Sequence, residues 1–173
     1  MSYIPSPDKC IDLLKIVGCS KEVINHCIAV RDIAVKIAKK ANANIELVEA
    51  GSLLHDIGRS KTHGIHHAIE GVKIAKKLDL DESIIRIIER HIGAGLLSED
   101  TKKLGLPVKD YMPVSLEEKI VCHADNLVNG SKRQPVEIEV EKALTKGFKD
   151  YAIRLVNLHK ELSELCGIDL NKI

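Results

Sequence analysis

Four of the eight histidines of this 173-residue chain lie between Leu53 and Glu70, in the stretch LLHDIGRSKTHGIHHAIE. His55 is followed directly by Asp56, and His63, His66 and His67 come soon after. Imidazole nitrogens and a carboxylate at this density can hold a transition metal or pass protons near neutral pH. Three more residues of the same types stand out elsewhere: His26, His91 and Asp125.

Residues three or four apart share a helix face. On that rule His26 lines up with Val30, Ile33 and Ile37, and His55 follows Val48, Gly51 and Ser52. His67 lines up with Gly71, Ile74 and Leu78; His91 follows Ile84, Ile87 and Ile88; Asp125 sits among Val121, Cys122 and Val128. Each polar side chain thus falls on or beside a stripe meant for the core. A single histidine so placed is ordinarily a hydrogen-bonded core residue. Asp125 is harder to account for, because a buried carboxylate without a partner costs several kcal/mol or gives up its charge. A metal site accounts for all of them together, since imidazoles and carboxylates converging from separate helices build metal sites in helical bundles. His55-Asp56 and His91 also precede glycines that stop helices, and the negative end of a helix dipole favours a cation. Gly51, Ser52 and Gly71 either leave room beside such ligands or let helices pack closely.

The elements that must position these residues are nearly all helical. Helices are expected to start after Pro7, at the N-cap Ser20, near Asn44, near His66, after Asp81 and at the N-cap Ser115, with Glu118 completing a capping box. Their expected ends are Val17, Asn42, Gly58 as a left-handed cap, Leu78, Gly93 and Asn129. A short helix over 96–104 is expected inside GAGLLSEDTKKLGLPVKDYMPVS, an irregular stretch that either covers a pocket or is plain surface loop. NGSKRQP breaks the chain, and one or two helices fill 136–166. The expectation is an all-α single domain over residues 1–173, a bundle of about eight helices, with its metal-binding core over 20–130.

Composition narrows the function. Hydrophobic residues make up 45% and aromatic ones 2%, so the core is aliphatic and no base-stacking platform is expected. A net charge of +1 argues against a nucleic-acid polymer as partner. The five cysteines form no C-x-x-C pair and read as free thiols of a reducing cytoplasm. The start MSYIPSPDK has no apolar leader, and no run is long enough to span a membrane, so a cytoplasmic protein without a membrane partner is expected. A homo-oligomer is left open.

His26, then His55-Asp56 within HDIG, then Asp125 within CHADNL resembles the pattern of the HD superfamily of metal-dependent phosphohydrolases over about residues 20–130. The resemblance implies that His26, His55, Asp56 and Asp125 hold one divalent transition metal. It also implies a second one, shared through Asp56 and held by His67 of HHAIEG and His91 of RHIGAG. The form THGIHHAIEG is similar to small archaeal HD phosphodiesterases, one of which opens 7,8-dihydroneopterin 2′,3′-cyclic phosphate; nothing in the sequence by itself names a pterin.

A nitrogen and oxygen ligand set without Cys suits Fe or Mn first, with Zn, Co or Ni open. Such a metal acidifies a bound water for attack on phosphorus and stabilises phosphoryl charge. The expected activity is that of a phosphodiesterase acting on a small phosphorylated substrate, with a 2′,3′-cyclic phosphate preferred. His63 and His66 are candidates for the acid that protonates a leaving ribose oxygen, His63 first because it lies in the loop beside the HD turn. Arg59 and Lys61 after the motif, and Lys132 and Arg133 after the Asp125 helix, are candidates to hold phosphate oxygens, although each alone reads as readily as a solvated charge. His123 and His159 are assigned to structure or surface. Three other readings stand beside this one: a mononucleotide phosphatase, a di-iron oxygenase and a non-catalytic regulatory module. The intact ligand set speaks against the last.

Overall fold

Side chains cap four helix starts: Ser20 and Ser115 are the N-caps the sequence expects, Asn44 lies at an expected start, and Ser6 caps a helix expected only to begin after Pro7. Ser6, Ser20, Asn44 and Ser115 each accept from the backbone N–H three residues on, and so satisfy a donor that the first turn leaves open. They begin α1 (Pro7–Ile16), α2 (Lys21–Ala41), α3 (Ile45–Leu54) and, later, α7 (Leu116–Asn126). Between them run α4 (His67–Lys77), α5 (Glu82–Arg90) and the short α6 (Ser98–Leu104); α8 (Glu137–Thr145) and α9 (Lys149–Cys166) close the chain. This computed structural model describes residues 3–173, so Met1 and Ser2, the start of the segment read as lacking a leader, lie outside the described residues.

The architecture is all-α, with nine α-helices among the described residues and one small hairpin. That hairpin pairs β1 (Val128–Asn129) antiparallel with β2 (Lys132–Arg133), so NGSKRQP is a strand turn and not a bare break, and α7 stops at Asn126, short of 129. α3 also ends early, at Leu54, and a 3-10 turn over Ile57–Ser60 follows. Gly58 is therefore not a left-handed cap. It is glycine because a Cβ there would stand 1.8 Å from the His67 carbonyl oxygen, where the turn meets α4. Glu118 does not close a capping box either: its carboxylate reaches past Ser115 to the N–H of Val114.

Two aliphatic clusters form the core. One joins α2, α7 and α9 through Val30, Ile37, Ile120 and Leu155; the other joins α1, α3 and α5 through Leu14, Leu53, Ile84 and Ile88. α2, α3 and α5 contribute to both. Close packing explains the small residues: a Cβ on Gly51 would lie 2.6 Å from Ile87 Cδ1, and one on Gly71 2.7 Å from Ile88 Cγ2. Among the described residues no helix is long and apolar enough to cross a membrane, and all five cysteines are free thiols.

Candidate metal centre

Each helix that delivers a ligand candidate also fixes how its imidazole points. His55 closes α3, and its Nδ1 lies 2.6 Å from the Ser52 carbonyl oxygen. His67 opens α4 with Nδ1 2.8 Å from Gly64 O, and His91 closes α5 with Nδ1 2.7 Å from Ile88 O. In all three the acceptor is the carbonyl three residues earlier. His26, in the second turn of α2, differs: its Nδ1 lies 2.6 Å from the carbonyl of Gly130, 104 residues away at the hairpin turn. A carbonyl only accepts, so the network assigns the proton to Nδ1 in all four rings and turns every Nε2 inward.

What those nitrogens face is a pair of carboxylates. Asp56, 2% exposed, sits between α3 and the 3-10 turn. Its Oδ1 is 3.2 Å from His67 Nε2 and 3.4 Å from His91 Nε2, while its Oδ2 is 3.7 Å from both His26 and His55 Nε2. Asp125 Oδ1, from α7, is 2.9 Å from His26 Nε2 and 3.6 Å from His55 Nε2. His67 and His91 bring their Nε2 atoms within 2.9 Å of each other. Two subsets result, His26, His55 and Asp125 on one side of Asp56, His67 and His91 on the other, with one Asp56 oxygen toward each.

Electrostatics give the centre a demand for positive charge. Burial would lift the Asp56 carboxyl, yet the His55 charge and the His67 and His91 rings close to it hold it well below the usual carboxylate range. Asp125 is likewise lowered, against burial, by His55 and His26. Burial would lower His55, but Asp56, Cys27 and Asp125 hold it well above its ordinary value. His91 is pushed down, chiefly by burial. A neutral His91 whose Nδ1–H is already engaged aims a lone pair at Asp56 and His67. Two buried atoms at the heart of the cluster, His55 Nε2 and Asp56 Oδ1, have no hydrogen-bond partner. The inward Nε2 atoms, the two orphaned buried atoms and the carboxylate oxygens at this spacing fit a divalent metal, which would take the place of the His55 Nε2 proton, and the donor set is all nitrogen and oxygen. His26, His55, Asp56 and Asp125 would hold one ion, and Asp56, His67 and His91 a second.

The centre opens into a polar cleft of about 450 Å³ lined by Arg59, His63, His67, His91, Asn126 and Lys146, and on the His26 side into a second opening of about 370 Å³. His63 is exposed and lines both. Arg59 also lines both, but its Nε donates to Asp56 Oδ2 at 2.6 Å and its Nη1 to His63 O at 3.1 Å, so it braces the motif carboxylate and the His63 loop. The other expected cations are placed elsewhere. Lys61 and Lys132 are exposed and line neither opening; Arg133 donates to Leu170 O at 2.9 Å and ties the hairpin to the C-terminal turn. His66 lies 3.2 Å from Gly105 O through Nε2, facing the end of α6. The cleft's cation from outside the motif is Lys146, at the C-cap of α8, and Tyr151 of α9 joins it. Neither carries a local sequence signal; both arrive through the packing of the last two helices. His123 and His159 pair with each other at 2.9 Å, away from this centre.

Comparison with known proteins follows the same residues. A family model described as HD domain matches residues 23–130, which contain all six ligand candidates. A tRNA (cytidine(56)-2′-O)-methyltransferase of Picrophilus torridus is 47% identical over all 173 residues, and the chain spans about half (51%) of that relative's length. An uncharacterised protein of Methanocaldococcus jannaschii is 44% identical over 91% of this chain and 97% of its own. Among solved structures, the HD domain of the Listeria monocytogenes phosphodiesterase PgpH in complex with cyclic-di-AMP superposes with a TM-score of 0.57 at 19% identity, covering 90% of this chain and 96% of that one. At that identity the likeness concerns the fold alone. The histidines and aspartates that converge here lie within the matched span, and this chain belongs to the HD domain family.

Proposed function

We propose that the chain is a metal-dependent phosphohydrolase that cleaves a small phosphodiester, with a 2′,3′-cyclic phosphate preferred over a linear monophosphate. The observation that carries this reading is the ring of four inward Nε2 atoms around two carboxylates, with one Asp56 oxygen toward each subset. A divalent metal held there supplies Lewis acidity and an acidified water. The remaining work falls to the chain's own side chains. Arg59 holds Asp56 and the His63 loop in place. His63, at the mouth of both openings, is placed to give a proton to a leaving ribose oxygen. Lys146 and Asn126 line the wall where phosphate oxygens would lie, and Asn126 is fixed by its 2.7 Å hydrogen bond to Gly93 O. Asp56 is too deep, and too firmly held as a carboxylate, to act as the acid.

The relatives' names favour a second reading, in which the phosphate is carried on RNA. A tRNA methyltransferase shares 47% identity over the whole chain, and 2′,3′-cyclic phosphates terminate cleaved RNA. One experiment separates the two. Protein purified without chelator is assayed for metal content, then given 2′,3′-cyclic nucleotides, linear mononucleotides, bis-nitrophenyl phosphate and an RNA oligomer ending in a cyclic phosphate. The proposal expects opening of the cyclic mononucleotide. Efficient cleavage of linear monophosphates with none of the diesters would overturn it, and activity on the oligomer alone would move the substrate to RNA.

A further inference from the structure

The chain has one Phe, three Tyr and no Trp. In a protein whose core is packed with Val, Ile and Leu, that scarcity makes the location of each aromatic ring informative. Two of the four, Phe148 and Tyr151, line the same apolar cavity of about 220 Å³. Ile65, Ile92, Leu96 and Leu104 form most of its other apolar wall, and Asp100, Glu139, Lys142 and Lys146 bring charge to its lining. It is continuous with the metal cleft: Ile65, Ile92, Glu139, Lys146 and Tyr151 line both. The composition argued against any stacking surface, but the fold gathers what aromatic area there is beside the catalytic cleft.

The two rings are held differently. Tyr151 is fixed. Its hydroxyl lies against Gly93, where a Cβ would be 1.5 Å away, and its face carries the Arg154 guanidinium at 5.6 Å. Arg154 is itself anchored to Asp100 at 2.5 Å. Phe148, the residue before α9, is 37% exposed at the cavity's mouth. Lys146, two residues away, stands where cavity and cleft meet. An apolar slot with an accessible ring, a cation at the joint and a phosphate-binding cleft beyond it matches a ligand with a flat apolar head, a short polar linker and an anionic group. Phe148, Tyr151 and Lys146 all lie outside the span matched by the family model, so the C-terminal helices bring the slot its two rings and its lysine, while Ile65, Ile92, Leu96 and Leu104 come from within that span.

We propose that this cavity binds the heterocyclic base of a small nucleotide, stacked on Phe148, with the phosphate in the metal cleft. The phosphate half of that statement rests on the phosphohydrolase reading; the base half does not. The test uses the full chain with ¹³C-labelled Ile and Leu methyl groups, titrated with adenosine 5′-monophosphate, ribose 5-phosphate and inorganic phosphate. Adenosine monophosphate should shift the Ile65, Ile92, Leu96 and Leu104 methyls through the ring current of the base, and ribose 5-phosphate should not. Phe148→Ala should weaken adenosine monophosphate by about tenfold, as loss of one base–aromatic stack does, while leaving ribose 5-phosphate unchanged. Phe148→Leu, which keeps apolar volume and helix start, should lose the same preference, and Phe148→Tyr should restore it. Equal affinity for adenosine monophosphate and ribose 5-phosphate in wild type, or a preference indifferent to Phe148→Leu, overturns the proposal. Ring-current shifts in a metal-loaded protein that hydrolyses neither a 2′,3′-cyclic nucleotide nor bis-nitrophenyl phosphate would support the base site and sink the phosphohydrolase reading instead.

Discussion

At the scale of single residues, the centre depends on which nitrogen of each ring carries the proton. The Nδ1–H groups are engaged by carbonyl oxygens, and the Nε2 atoms converge on Asp56. Asp56→Ala removes the one side chain common to both subsets, so metal content and hydrolysis should both fall to background, measured by elemental analysis and phosphate release. His91→Ala touches only the second subset; its metal-to-protein ratio at saturating metal should drop from two toward one. Protons compete with metal for His55, whose folded pKa is held well above the ordinary value against burial by Asp56, Cys27 and Asp125. Metal affinity should therefore fall as pH falls, and binding should release protons, read by calorimetry in two buffers of different ionisation enthalpy. His63→Ala should slow turnover on poor leaving groups much more than on nitrophenolate while sparing metal content; an equal loss on both would remove it from the acid role. Five of the six ligand candidates could be read from residue type and helical spacing, which place a side chain on a face; Asp56, between α3 and the 3-10 turn, could be read only from the HD motif. The cations were not: Arg59 and Lys61 lie in or beside the 3-10 turn and Arg133 in the two-residue strand β2, and their spacing does not say that Arg59 turns to Asp56, Lys61 to the surface and Arg133 to the Leu170 carbonyl.

At the scale of elements, helix starts were legible and helix ends less so. A capping side chain is written into the sequence at Ser20, Asn44 and Ser115, whereas the stop of α3 at Leu54 is imposed from outside by the approach of α4 to the 3-10 turn. That approach leaves no volume at Gly58. Gly58→Ala should separate α4 from the turn, destabilise the fold by a few kcal/mol and lower the occupancy of the His67–His91 subset, seen by denaturant unfolding and metal content. Between α7 and α9, burial and the neighbouring His159 push His123 down to about 3. The unfolded chain protonates this side chain below about 6.5, so its contribution to stability is complete above that value. It is lost as pH falls from there toward 3, because the unfolded state then binds the extra proton. His123→Gln should flatten the acid side of the stability profile; an unchanged slope would assign the loss to other groups.

At the scale of the whole molecule, the bundle gathers two carboxylates and four imidazoles at a centre that a bound cation would stabilise. Chelation should lower the melting temperature and metal should restore it. Saturation at a hundred times the dissociation constant stabilises by about 2.7 kcal/mol per site, which is several degrees for a domain of this size. An unchanged melting curve after verified metal removal would contradict a buried centre. The all-α class and its two aliphatic clusters could be read from periodicity, but the part that α8 and α9 play in the cleft could not, since Lys146 and Tyr151 reach it through long-range packing. One contact sets an order of assembly. Three of the four imidazoles are aligned by a carbonyl three residues back and are ready once their own helical turn forms. His26 is aligned by Gly130 and Asp125, both distant in the chain, and closing the 104-residue span to Gly130 costs about 4 kcal/mol by the logarithmic length term alone. As the chain leaves the ribosome, the residues of the HD turn and of the His67–His91 pair emerge before Gly130 and its hairpin, which His26 needs. His26 is the last of the four to be fixed, and a nascent chain lacking the hairpin has no finished site to load.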